Sequence, residues 1–174
     1  KATSFYPLEK FKNELGEIIS KSIYYPNRPD WSLEKIAQVK SYILLTGLSQ
    51  NPDNFFWQEE SRGLVKEKRE KEALTLGKKI LDEAGEEVAT KLFIVRYFVE
   101  LCKEKSSIKT LQIWLENVEI SKASPEDKAD YYHLQLLCLQ KLRDKQNFKK
   151  VYKVAKEHFQ KHNIDTQNID ALKL

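Results

Sequence analysis

Lys145, Lys149, Lys153 and Lys156 recur at spacings of four, four and three, which on a helix lines four ammonium groups along one side, opposite an apolar face. Such a stripe attracts anions, whether an acidic peptide, the phosphates of nucleic acid or an anionic membrane surface. Lysine is a hydrated point charge without the bidentate fork of arginine, so diffuse attraction fits it better than sharp recognition, and a solvated outer face is the plainest reading. His158 and His162 stand four apart on the same stretch, a spacing that lets two imidazoles reach one metal ion. Further ligands would have to come from distant residues such as Cys138 or Asp165, so one half-buried and one surface histidine is the simpler expectation. Gly77-Lys78-Lys79 has the look of a phosphate loop, yet Glu72 stands where the first glycine belongs and the context is helical. No dinucleotide fingerprint, His-Glu-x-x-His or Gly-x-Ser-x-Gly occurs, and with three histidines acid–base chemistry would rest on carboxylates. The sequence predicts a chain that is not an enzyme and has no cofactor or bound metal.

Composition sets the frame for these residues. The 174 residues are 41% hydrophobic and 32% charged, with only 5 Gly and 5 Pro, which suits one packed, water-soluble globular domain. No apolar run approaches the ~18 residues needed to span a bilayer, and no secretory leader or Asn-x-Ser/Thr acceptor is present. Cys102 and Cys138 lie far apart in apolar contexts, which suggests buried thiols in a reducing, intracellular compartment, cytoplasmic or nuclear. The chain starts at Lys1 and contains no Met, so it reads as a piece of a longer protein. Its net charge of +4 is unevenly spread, since residues 88–174 carry +5 and residues 1–87 carry −1.

Apolar residues recur at three and four throughout, the period of a helix face. Helices are expected at about 7–23, then through Leu33, Ile36, Ala37, Ile43, Leu44 and Leu48, with two-proline and Asn51-Pro52 breaks on either side. A third element starts at Phe55-Phe56-Trp57 and continues past a kink at Gly63 to Ala84. The all-charged Lys66–Glu72 run within it is expected to be a solvated face. Residues 93–99 (FIVRYFV) could be a strand, but Val88, Leu92, Val95, Val99 and Cys102 extend a helical stripe and favour a buried helix. Ser124-Pro125-Glu126-Asp127 combines a cap, a first-turn proline and first-turn acids, a strong helix start. A last helix runs from Phe148 to about His162, and 163–174 reads as a frayed tail. Tyr24, Tyr25, Trp31, Phe55, Phe56 and Trp57 gather around the proline turns, where packing of helix ends explains them better than an exposed anchor surface.

The second half repeats. A long apolar helix (88–104) and an amphipathic helix (107–122) are followed by the same pair (126–143 and 148–162), with Phe148 standing 40 residues after Ile108. Phe98, Val99 and Cys102 precede the first turn and Leu111, Leu115 and Val118 follow it; Cys138, Leu139 and Leu142 precede the second, and Val151, Ala155 and His158 follow. In this pattern residues 88–162 resemble tetratricopeptide-type helical repeats. The resemblance implies an all-α helix-turn-helix solenoid of about seven antiparallel helices, with an irregular helical bundle as the alternative. It also implies a groove lined by the first helix of each pair, where Arg96, Glu100, Lys103, His133, Gln140 and Arg143 would meet a partner segment. The expected function is a protein–protein interaction scaffold that takes another protein, in particular an acidic segment. The alternative is RNA or nucleic-acid binding through the lysine stripe.

Overall fold

A computed structural model describes residues 30–174, and within them the chain is all-α: eight helices and no strand among the described residues. The helix expected over 7–23 and the aromatics Tyr24 and Tyr25 lie outside the described residues. The contacts gather into two compact units, 1–63 and 64–174.

In the first unit, α1 (Leu33–Leu45) starts at Ser32, whose Oγ accepts from the Lys35 amide at 3.2 Å. Ile36, Val39 and Ile43 form its buried face and pack with Phe56, Trp31, Tyr42 and Phe55; the Trp31 and Phe56 rings lie 5.7 Å apart. The aromatics of this stretch therefore pack a core, as their surroundings in the sequence suggested. The expected apolar stripe is narrower than the sequence implied, because Ala37 is exposed and Leu44 and Leu48 are 48% and 56% exposed. Gly47, at φ +70°, ends α1 in the left-handed conformation rather than merely weakening its last turn. In α2 (Asp53–Lys66), Asp53 and Glu60 both pair with Lys40 of α1.

The second unit corrects the expectation of one element running from Phe55 to Ala84. The helix breaks not at Gly63, which is helical, but at Glu67–Arg69. Lys68 adopts φ +60° while its amide donates to the Val65 carbonyl, and the Arg69 amide donates to the Leu64 carbonyl, the paired bonds of a Schellman turn. The charged run is therefore a turn followed by the first residues of α3 (Glu70–Glu83), and its second acid, Glu70, is buried at 5% exposure. Gly77 faces α4 (Val88–Leu101). A Cβ there would meet the Phe98 ring at 2.5 Å, so the glycine permits the two helices to close on one another. FIVRYFV is a helix, with Ile94, Val95, Phe98 and Val99 buried.

Only Cys102–Glu104 separate α4 from α5 (Lys105–Glu116), and the chain there lacks side-chain caps of its own. Two remote residues close the turn. Glu70 accepts from the amides of Lys103 at 2.9 Å and Glu104 at 3.2 Å, at the start of α5. Lys141, from α6 (Pro125–Leu142), donates to the carbonyls of Val99 and Cys102 at the end of α4. An anion at a helix start and a cation at a helix end are the arrangement the backbone dipoles favour, and they satisfy groups that the helices leave unpaired. Burial by itself raises the Glu70 carboxyl, but the two amides, with the Ser107 and Cys102 side chains beside them, outweigh it and hold its pKa below the ordinary value.

The other helix-pair turn is closed locally. α6 begins at Ser124, whose Oγ accepts from the Asp127 amide at 3.0 Å, with Pro125 in the first turn as expected. It ends in a second Schellman turn, with Arg143 at φ +60° and the Asp144 amide bonded to the Leu139 carbonyl. Asp144 then caps α7 (Lys145–Lys161), accepting from the Asn147 amide at 3.1 Å. The last helix, expected from Phe148, thus starts three residues earlier. Nor is 163–174 frayed throughout. It contains the short α8 (Gln167–Asp170), whose Ile169 is fully buried among Leu136, Leu139, Phe148, Ala155 and Phe159. Within this unit α4 packs against α3, α5 and α6, and α6 against α5, α7 and α8.

Candidate functional site

α4 and α6 lie side by side, so residues more than thirty apart in sequence share one face. The Arg96 guanidinium donates to Asp130 Oδ1 at 3.0 Å through Nη2 and meets His133 Nδ1 at 3.3 Å through Nη1. A guanidinium only donates, so Nδ1 accepts and the imidazole is the neutral tautomer with its proton on Nε2. Burial and then the Arg96 charge lower the His133 pKa, against smaller opposing effects of Asp130 and Glu100. Three of the six groove residues expected from the sequence, Arg96, Glu100 and His133, thus belong to one electrostatic group. Asp130 belongs with them and was missed, although it precedes His133 by three residues, the spacing that puts both on one side of α6.

Beside His133 a pocket of about 300 Å³ opens between the start of α6 and the segment after α7. Its lining includes Glu126, Asp127, Asp130 and Asp165 around the apolar Phe159 and Ile164. The surroundings of His133 are therefore acidic.

The other three groove residues make bonds elsewhere, those of Lys103 and Arg143 through the backbone alone among the described residues. Lys103 gives its amide to Glu70, Gln140 Nε2 donates to the Lys173 carbonyl at 3.1 Å, and Arg143 forms the left-handed turn. Among the described residues no hydrogen bond brings them to the Arg96 group.

The lysine stripe divides. Lys145, Lys149 and Lys153 are exposed on α7 and make no ion pair among the described residues. Lys156 instead sits at the margin of the buried face, 3.2 Å from both Tyr152 Oη and Asp170 Oδ1, with its ammonium 5.5 Å from the Tyr152 ring centroid. Tyr152 and Asp170 together raise its pKa. The stripe was expected opposite the apolar face; its last member is instead part of the attachment of α8.

His158 Nε2 donates to the Pro125 carbonyl, 2.9 Å away; since a carbonyl only accepts, Nε2 carries the proton. His162 is exposed, its ring 4.6 Å from that of His158. Among the described residues no three His, Cys, Asp or Glu side chains are arranged to hold a metal ion. Cys102 and Cys138 are free and buried; burial pushes both thiols up to about 12, helped at Cys102 by the Glu70 charge. Gly77-Lys78-Lys79 lies inside α3, with Gly77 occupied in packing against Phe98. No described helix is long and apolar enough to cross a membrane.

Compared with protein-family models, curated proteins and solved structures, the chain gives no match.

Proposed function

We propose that this chain is a non-catalytic protein–protein interaction scaffold, organised in the manner of tetratricopeptide-like repeats and acting within a larger intracellular assembly. The observation that carries the reading is the face shared by α4 and α6, where Arg96, Glu100, Asp130 and His133 meet beside an open pocket. Two packed helices give such a face a fixed spacing of polar groups, which is what recognition of a partner segment requires. The buried thiols support a non-catalytic role, because a thiol held near 12 is almost wholly protonated at neutral pH and is a poor nucleophile. Over α4 and α6 the acidic lining favours a partner segment with a basic residue; an acidic segment is better met by the open lysines of α7.

The test is capture of partners from nuclease-treated native lysate by the wild-type chain and by an Arg96→Glu, His133→Ala double variant. Partners held by the wild type to about 0.5 M salt and lost by the variant are the expected result. Unchanged capture by the variant sinks the assignment.

A second reading has its own observation. Lys145, Lys149 and Lys153, four residues apart and without ion pairs among the described residues, offer a row of charge to a phosphate backbone. On that reading affinity for a single-stranded oligonucleotide falls steeply between 50 and 200 mM salt, as for any contact that releases counterions. A Lys149→Glu, Lys153→Glu variant then loses binding. Retained affinity in that variant removes the nucleic-acid alternative.

A further inference from the structure

Glu70 fastens the first turn of α3 to the start of α5, and beyond that point a shallow groove of about 820 Å³ opens between the two helices. It follows α3 from Lys71 to Glu83, a rise of ~18 Å at 1.5 Å per residue, long enough for about five residues of extended chain. Its floor is apolar. Leu74 and Trp114 are almost fully covered, and Thr75 and Thr110 turn their hydroxyls back on their own helices, at the carbonyls of Lys71 and Ser106, leaving no hydroxyl proton for a ligand. The rim is charged in a definite order. Lys71 stands at one end and Glu83 at the other; between them lie Lys79 and the paired Lys78 and Asp82.

We propose that this groove docks a short segment of a partner protein, with an apolar side chain over Leu74 and Trp114 and an acidic residue towards Lys71. The charge order supplies the orientation, because a carboxylate at the Glu83 end meets like charge and one at the Lys71 end meets opposite charge. The inference rests on the scaffold reading but concerns a separate surface: none of the groove residues belongs to the Arg96 group.

The probes are two fluorescein-labelled ten-residue peptides with a central Leu-x-x-Phe, one with Glu at its first two positions and Lys at its last two, the other with these charges exchanged. Each is titrated by anisotropy against the wild-type chain, Thr110→Arg, Lys71→Glu and Arg96→Glu, with circular dichroism melts to establish that every variant is folded. Both peptides can enter in either direction, so orientation is read from a paramagnetic tag at the acidic end, which should broaden the resonances around Lys71 more than those around Glu83. Thr110→Arg is expected to weaken binding at least tenfold by filling the groove, Lys71→Glu to weaken it several-fold, and Arg96→Glu to leave it unchanged. If neither peptide binds at 1 mM, or if folded Thr110→Arg binds as wild type, the groove is not a docking site. Broadening strongest at Glu83 overturns the orientation. Self-association of the wild type that Thr110→Arg abolishes identifies a second copy as the occupant and replaces the partner segment. Loss of peptide binding in Arg96→Glu alone assigns capture to the α4 and α6 face and leaves the scaffold reading standing without this groove.

Discussion

The turns after α4 and after α6 occupy matching places in the two helix pairs, yet they are closed by different means. The turn after α6 uses its own residues: Arg143 in the left-handed region, Asp144 as the cap of α7. The turn after α4 has extended backbone at Cys102 and no cap of its own, and draws on Glu70 and Lys141 from the helices before and after. A locally closed turn can form with its two helices alone. A remotely closed one is complete only when the four successive helices α3 to α6 are in place, so its stability is shared among them.

The sharpest way to break that contrast is Glu70→Ala, which removes a carboxylate and leaves two part-buried amides at a helix start without their acceptor; the expected cost is about 2 kcal/mol in chemical denaturation. The same residue sets an acid limit. Its folded pKa lies below the unfolded value near 4.3, so its contribution is complete above that pH and disappears as pH falls through the folded value. Glu70→Gln should therefore flatten the loss of stability between about pH 5 and the folded pKa, as followed by denaturation at a series of pH values. An unchanged acid profile would show that other carboxylates dominate it.

Next in size is Gly77→Ala. The new methyl gains about 1 kcal/mol of helix propensity but collides with the buried Phe98 ring, and crowding of a packed core costs ~1–3 kcal/mol, so a net loss is expected. Gly63→Ala sharpens the point: its methyl would meet only the end of the Leu33 side chain, at 2.7 Å, and a smaller change or a gain in melting temperature is expected. Asp144→Ala removes a local cap and should cost about 1 kcal/mol, less than Glu70→Ala. The smallest effect has the opposite sign. Lys68→Gly and Arg143→Gly relieve a left-handed residue that carries a Cβ, and each should stabilise the fold by up to about 1 kcal/mol.

The same contrast explains what could be read from the sequence. Helix type, the Pro125 start, the buried helix at 88–101 and the packing of Phe55 and Phe56 follow from periodicity and capping residues, which are local signals. The break at Lys68 carries neither glycine nor proline, and a run of mixed charge has no period, so nothing local distinguishes it from a helix face. Glu70 looks like its neighbours in that run until α5 comes to meet it. Of the candidate site, Arg96 and His133 were each named from the sequence, but their pairing depends on how α4 and α6 meet, and the use of Lys156 by Asp170 on how the chain returns after α7. Ile169 was hidden for the same reason: a lone apolar residue in a polar tail has no stripe to belong to.

The left-handed backbone at Arg143 also makes the chain's chirality usable. At φ +60° the native L-residue is the strained mirror form, and a D-amino acid is the relaxed one. A semisynthetic chain with D-arginine at 143 would keep the guanidinium while removing the steric penalty, a combination that no genetically encoded variant offers, since glycine relaxes the turn only by losing the charge.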